Sequence, residues 1–204
     1  VVYDENRNTI VDKCWYDIDA NRNSPSPVIS KTGEKRWYHL FYVGERAKRK
    51  EEIISYFNEL AGKKDDYLII AATGNSISAN LDTDITDAMS RIGMTAPFTE
   101  DKNYRKSYVG IFGGEDLKFS TGENNSLSDG EICLKDYRYD NRTFSVVSRG
   151  YKVDDATAQI RINGEEMTNG IAGLHILVYD KKSHRPVSYA WLNGPDLKFN
   201  KIKI

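Results

Sequence analysis

The side chains that could carry out chemistry in this chain are few and far apart. The three histidines, His39, His175 and His184, lie in or beside segments with strand character, and no two of them have the spacing of metal ligands. Cys14 and Cys133 are either ordinary buried thiols or, in an oxidising compartment, the two ends of one disulfide. Neither residue type predicts a catalytic centre.

Motifs that bind phosphates or activate nucleophiles do not occur in the sequence. The run Gly-Ile-Phe-Gly at 110–113 has neither the spacing nor the following helix of a phosphate-binding loop. The chain contains no Gly-x-Ser-x-Gly and no His-Glu-x-x-His. Asp82, Asp84 and Asp87 open a predicted helix, where carboxylates offset the helix dipole rather than hold a cation. We therefore predict no catalytic, cofactor-binding or metal-binding residues, and a protein that is not an enzyme.

The most aromatic segment is the candidate for ligand contact. Residues 37–43 read Trp-Tyr-His-Leu-Phe-Tyr-Val, which is typical of a strand. Its side chains would alternate between two faces, so the strand either packs in the core on both sides or presents rings that stack on sugars. The candidate ligand or interface residues are Trp37, Tyr38, Phe41 and Tyr42, together with Gly113 and Gly114 at the end of a later strand.

The elements that would position these residues alternate between strands and helices in the first 118 residues. Apolar residues at helical spacing predict helices over 53–61 and 81–92. A continuous apolar run at 67–72 predicts a strand that is covered on both faces. Further strands are predicted at 1–3, 10–16, 37–43 and 108–112. This order predicts an α/β (α+β) fold with a mixed sheet and two helices.

The second half of the chain has a different pattern, because a polar stretch interrupts it at 119–130. Ser, Thr, Gly, Asn and Asp dominate there, as in a linker or long loop. After it the predicted elements are all strands, and Asn163-Gly164 between apolar runs indicates a hairpin turn. The sequence thus predicts a domain over 1–118, a linker over 119–130 and a β-rich segment over 131–204.

Composition excludes several classes of partner. The 204 residues carry 29 Lys and Arg against 30 Asp and Glu, a net charge of −1, whereas proteins that coat nucleic acid need a dense basic surface. No apolar run approaches the length of a membrane span, about 18 residues. We expect neither a nucleic-acid partner nor a membrane span. Because the chain opens at Val1 with strand character, we expect it to be a fragment or a processed product.

A helix, a buried strand, a second helix and a further strand follow one another from 51 to 114 with a characteristic set of residues. They are Ile53, Ile54 and Phe57 in the first helix, 68–74 in the strand, Ile-Gly-Met-Thr at 92–95 and Phe-Gly-Gly at 112–114. This stretch resembles the GG domain, also called the interleukin-like EMT inducer (ILEI) domain. The front of that domain resembles 131–134 and 173–180, which follow the helices here and precede them in the family.

That order leaves two interpretations open. In the first, residues 1–118 form a GG-like domain that lacks its first strands, and residues 131–204 begin a second such domain. The sequence Val-Tyr-Asp, which occurs at both 2–4 and 178–180, favours this interpretation. Alternatively, the later strands complete the earlier half, either within the same chain as a permuted domain or from a neighbouring chain.

The resemblance implies three settings. Members of the family occur in bacteriophage long tail fibres, in the glycan-binding stem of a glycosyltransferase and as secreted cytokine-like proteins with disulfide cysteines. Since this chain has only Cys14 and Cys133, the phage setting is favoured. It implies a non-enzymatic structural module of a virion, at a tail-fibre or baseplate joint, which binds other protein subunits through self-association or strand addition. The alternatives are a non-catalytic carbohydrate-binding domain that binds a glycan and, second, an extracellular cytokine-like protein.

Overall fold

A computed structural model describes residues 2–4, 9–12, 28–29, 35–36, 40–75, 81, 83–94, 105–114, 125–168, 170, 172–193 and 197–204. The chain divides into two compact units, Val1–Lys48 and Arg49–Ile204. The first unit holds two small antiparallel hairpins, β1 (Val2–Asp4) with β2 (Thr9–Asp12) and β3 (Val28–Ile29) with β4 (Lys35–Arg36). Helix α1 (Leu40–Ala61) begins in the first unit and ends in the second, and helix α2 (Thr83–Ser90) lies in the second.

The second unit is built on a sheet of ten described strands. They are β5 (Tyr67–Asn75), β6 (Ser107–Phe112), β7 (Asn125–Ser128), β8 (Ile132–Tyr139), β9 (Arg142–Gly150), β10 (Ala158–Ile162), β11 (Glu165–Glu166), β12 (Gly173–Asp180), β13 (Arg185–Asn193) and β14 (Lys198–Lys203). The strand order is β11-β10-β9-β5-β12-β13-β14, with β6 pairing β5 and β7, and with β8 pairing β9. These pairings are antiparallel except for the short parallel contact of β5 with β9.

The second unit has three layers, and β5 lies in the middle one. On one face of the sheet Ile69 belongs to a buried cluster that includes Phe57 of α1 and Met89 of α2. On the other face Ile70 belongs to a second cluster that includes Phe144 of β9. Seven consecutive residues of β5 are buried. The prediction of a strand covered on both faces is therefore confirmed.

The predicted fold class, α/β, is wrong. Strands account for 52% of the structure and helices for 18%, so the protein is mostly β, with a curled mixed sheet and two described helices. In an α/β fold the helices connect parallel strands. Here α2 leads from β5 to β6, and these two strands are antiparallel neighbours. From α1 to β6 the predicted order of helices and strands is observed, but that order does not determine the direction of the strands.

The predicted strand at 37–43 is also wrong from Leu40 onward, because α1 begins there. Trp37, Tyr38 and His39 lie outside the described residues. A short apolar run cannot be assigned to helix or strand from its periodicity alone. At this position the following residues, rich in Lys, Arg and Glu, continue the run as one helix of 22 residues.

The predictions for the remaining elements are largely confirmed. Both helices and the strands at 67–72 and 108–112 form, and the described residues after 130 contain strands and no helix. The turn at Asn163-Gly164 has positive φ at both residues, 51° and 86°, as a type I′ hairpin requires. The later strands pair with the earlier part of the same chain, because β12 pairs with β5 over eight residues.

The predicted linker lies only partly within the described residues. Part of it, Asn125–Ser128, forms the strand β7 and pairs with β6.

Candidate assembly edge

Two of the four aromatic residues predicted as a site lie in a helix and not in the expected strand. Phe41 and Tyr42 lie in the first turn of α1, and Trp37 and Tyr38 fall outside the described residues. In a helix these neighbours do not alternate between two faces. The structure therefore provides no aromatic strand over Phe41 and Tyr42.

The two glycines of the predicted site are needed for close packing. Gly113 has φ of 81°, and a Cβ built there would lie 2.0 Å from the carbonyl oxygen of Tyr67. A Cβ on Gly114 would lie 2.4 Å from the hydroxyl oxygen of Tyr137. Both distances are shorter than a non-bonded carbon–oxygen contact. Gly113 therefore excludes a side chain, because the clashing atom is backbone and its φ is positive, whereas a side chain at Gly114 would require the Tyr137 ring to shift. The end of β6 packs closely against the turn before β5 and against β8, and this packing explains the two glycines.

The remaining reactive groups have ordinary structural surroundings. His175 is buried, and its Nδ1 lies 2.7 Å from the hydroxyl oxygen of Tyr189. His184 is half exposed and lies 2.6 Å from a carboxylate oxygen of Asp140. Cys133 is a free and exposed thiol, so the expectation of a buried one is wrong; Cys14 lies outside the described residues. Within the described residues, no group of three or more His, Cys, Asp or Glu is arranged to hold a metal ion.

Buried hydroxyl groups converge where β5, β6 and β9 meet. The Ser148 hydroxyl donates to the Thr73 carbonyl at 2.6 Å and accepts from the Tyr108 N–H at 2.9 Å. The Ser107 hydroxyl accepts from the Gly150 N–H at 2.8 Å. The partners are backbone groups and a second hydroxyl, that of Thr73 at 3.1 Å. Because an activated serine needs a base beside it, this cluster satisfies buried backbone groups at the junction rather than forming a nucleophile.

Four strands form edges of the described sheet, because β7, β8, β11 and β14 each pair with only one described strand. An open edge presents a row of unpaired N–H and C=O groups on which another strand can be added, and very short or bulged edge strands resist this. β7 has four residues and β11 has two. The two long edges are therefore β8 and β14.

The β8 edge is irregular. Its register against β9 shifts between Leu134 and Tyr137, where three steps along β8 match two along β9. Asp136, inside the shift, has φ of 56°. One extra residue of this kind is a β-bulge, which twists the strand and breaks its row of outward groups.

The β14 edge is regular. Six consecutive residues pair with β13 without a shift, from Lys198 opposite Asn193 to Lys203 opposite Ser188. The N–H of Ile204 donates to the carbonyl of Val187 at 3.1 Å. Inward and outward groups alternate along an antiparallel strand. The N–H and C=O groups of Phe199, Lys201 and Lys203 therefore point away from β13, along the outer side of the sheet.

The helix-side face of β14 is anchored on α1. The Phe199 ring packs against the Tyr56 ring at 5.4 Å between centroids. The Lys201 ammonium lies 5.0 Å from the centre of the same ring and 2.9 Å from a carboxylate oxygen of Glu59. The hydrogen bond from Lys201 lowers the pKa of Glu59, and burial raises the pKa of Tyr56. These contacts hold β14 in place while its outer edge stays regular.

The opposite face of β14 is exposed and carries the polar Asn200 and the apolar Ile202. Ile202 is 50% exposed, and Ile204, the next residue on that face, is 57% exposed. In the sequence this segment is visible as the alternating Lys-Ile-Lys-Ile at 201–204, which predicts a strand. Nothing in that pattern shows that the strand ends a sheet, which is why these residues were missed as an interface.

Comparison with known proteins provides no relative of this chain. No family model matches it, and neither does any curated protein or solved structure. Neither of the two described helices combines the length and the apolar composition of a membrane span. The fold and the edge thus define a mostly β protein with one long, regular edge strand among those described.

Proposed function

We propose that this protein is a non-enzymatic structural module that binds other protein subunits by strand addition at β14. The observation that carries the proposal is the unbroken outward row of Phe199, Lys201 and Lys203, which has no described strand beside it. An extended segment that pairs with such a row gains main-chain hydrogen bonds along its length. The exposed Ile202 and Ile204 add apolar contact to this pairing.

The setting we propose is a bacteriophage virion, at a tail-fibre or baseplate joint. The resemblance of 51–114 to the GG domain supports it, and a module that joins subunits without chemistry suits a joint between fibre segments. Mass spectrometry of phage particles purified from the source of the sequence should detect this chain in a fixed ratio to the other tail proteins. Its consistent absence from intact particles would contradict the setting and leave the β14 proposal untouched.

The carbohydrate-binding alternative lacks comparable support. Tyr137, whose hydroxyl lies beside Gly114, packs against Phe144 at 6.1 Å between ring centroids, and Tyr139 packs against Tyr179 at 6.3 Å. Both rings are partly buried and pack against the second core cluster. A sugar platform needs an open ring face.

The proposed edge is tested with two substitutions at one position. Lys203→Pro removes an outward N–H and leaves the bonds to β13, because a proline is tolerated at an edge when its nitrogen faces outward. Lys203→Ala keeps the N–H and is the matched control. We expect the full chain to associate, with itself or with extended heptapeptides of acidic, basic or neutral sequence, and Lys203→Pro to abolish that association while Lys203→Ala retains it. Association that Lys203→Pro leaves unchanged would contradict the proposal. So would a complete lack of association of the parent chain in light scattering and NMR titration.

A further inference from the structure

We infer that the segment received by β14 is an extended strand of a different protein in which acidic and apolar residues alternate. The inference rests on the proposed function, since it names the partner of the same edge.

An added strand continues both faces of the sheet. Residues directly opposite each other on paired strands share a face and lie about 5 Å apart at Cβ. On the helix side the partner's residues would stand beside Lys201 and Lys203, and on the other side beside Ile202 and Ile204. The alternation along β14 therefore imposes the same alternation on its partner.

The helix side of the edge is positive. Glu59 accepts a hydrogen bond from Lys201 and also lies 3.7 Å from the Lys63 ammonium. The single negative charge of Glu59 is therefore shared between two positive charges. Lys203 forms no ion pair with any described residue. A partner residue beside Lys201 and Lys203 thus meets an excess of positive charge. Opposite-charge pairs across strands are stabilising and like charges are destabilising, which favours Asp or Glu there.

The opposite side favours apolar residues. Ile202 lies opposite Tyr189, which is buried in the second core cluster. An apolar surface thus continues from the core to Ile202, and about half of Ile202 and of Ile204 remains exposed. An apolar residue on the partner would remove this surface from water.

A second copy of β14 fits this edge poorly. Antiparallel self-pairing centred on Lys201 places Lys201 opposite its own copy. Self-pairing centred on Ile202 places Lys201 opposite Lys203. Both of these registers oppose like charges on the face that already carries excess positive charge. These two registers are therefore unfavourable for a second copy, whereas an acidic strand places opposite charges beside Lys201 and Lys203.

The test uses the full 204-residue chain and two blocked heptapeptides. One has the sequence Thr-Val-Glu-Val-Glu-Val-Thr, and the matched control carries Lys in place of Glu. Binding is followed through the amide signals of Phe199, Lys201 and Lys203. We expect the acidic peptide to bind about fivefold or more tightly than the basic one and to weaken with added salt. Lys203→Ala should reduce this preference, and Lys203→Glu, which keeps the N–H, should reverse it.

The outcomes separate the inference from the proposed function. Equal binding of both peptides at β14 would overturn the acidic partner and leave strand addition standing. Self-association that Lys203→Pro abolishes, without preference for the acidic peptide, would make a second copy the occupant and overturn the inference alone. A chain that binds neither peptide and does not self-associate would overturn both.

Discussion

The two long edges of the sheet, β8 and β14, differ in the way they treat an approaching strand. β8 carries a bulge at Asp136, with the exposed Lys135 and Arg138 beside it. β14 pairs over six residues without a shift and ends beside two half-exposed isoleucines. A bulge is one of the means by which proteins prevent unwanted pairing at an edge. Charged side chains are another, but β14 carries lysines as well, so the bulge is what distinguishes the two described edges. It interrupts the outward row of β8, whereas the outward row of β14 is unbroken.

The largest effect should come from disrupting β14 itself. Ile202→Pro removes an inward N–H of the ladder to β13 and should lower the free energy of unfolding by about 2 kcal/mol. Lys203→Pro, one residue further on, removes an outward N–H and should change it by less than about 0.5 kcal/mol. Urea unfolding of both variants measures the difference. Equal losses would show that the assignment of inward and outward groups along β14 is wrong.

Removing the bulge should make β8 resemble β14. Deletion of Asp136 leaves Ile132, Leu134, Tyr137 and Tyr139 in strict alternation on the inner face, which is the side where these residues are already partly buried. The shortened strand would present a regular outward row. We expect this variant to self-associate at concentrations at which the parent chain does not, as measured by light scattering. A deletion variant that folds and stays at the parent's mass would mean that the bulge does not protect the edge.

A smaller effect distinguishes the anchoring of the two edges. Lys201→Ala removes the contact with the Tyr56 ring and the ion pair with Glu59, which together should contribute about 1 kcal/mol. On β8, Arg138 is exposed, and Arg138→Ala should change stability by less than about 0.5 kcal/mol. Thermal unfolding of the two variants compares them directly. A larger loss of stability in Arg138→Ala than in Lys201→Ala would show that β14 is not the more strongly anchored of the two strands.

The smallest effect is one of pH. The pKa values of Glu59 beside β14 and of Asp129 before β8 are both lowered, chiefly by hydrogen bonds from Lys201 and Lys152 respectively. A carboxyl group with a lowered pKa in the folded state stabilises the fold above its unfolded pKa, and this stabilisation is lost as the pH falls through the folded value. For Glu59 the loss begins below about pH 4.5, its ordinary value.

NMR titration of the carboxyl groups tests this assignment. In Lys201→Ala the titration midpoint of Glu59 should rise toward its ordinary value, while that of Asp129 should stay where it is. A shift of both midpoints, or of neither, would show that Lys201 is not the cause at Glu59.

The sequence predicts local features of this fold well, because they depend on nearby residues. The run at 67–72 is apolar at every position, and a strand with that composition must be covered on both faces. Asn163-Gly164 specifies a turn that needs positive φ at both residues.

The features that the sequence did not predict correctly depend on residues that are distant in the chain. The order of elements leaves open whether β5 and β6 run parallel, and the structure shows that they are antiparallel. The aromatic run at 40–43 has the composition of a strand, yet it forms the start of a helix that continues to Ala61.

The candidate site was missed for the same reason. Lys-Ile-Lys-Ile at 201–204 predicts a strand, but its position at the end of the sheet follows from its pairing with β13. The bulge at Asp136 appears only when β8 is aligned with β9. Whether a strand lies at an edge depends on the assembled sheet. The sequence of a single strand does not show which strands will pair with it.

Hydrogen exchange along β14 in the full chain tests the central claim most directly. At a concentration where light scattering shows single chains, the amides of Phe199, Lys201 and Lys203 should exchange rapidly, while those of Asn200, Ile202 and Ile204 are protected by β13. Addition of the acidic heptapeptide should then protect the first three. Protection of all six amides in the isolated chain would show that another part of the protein already covers this edge, and would contradict the account.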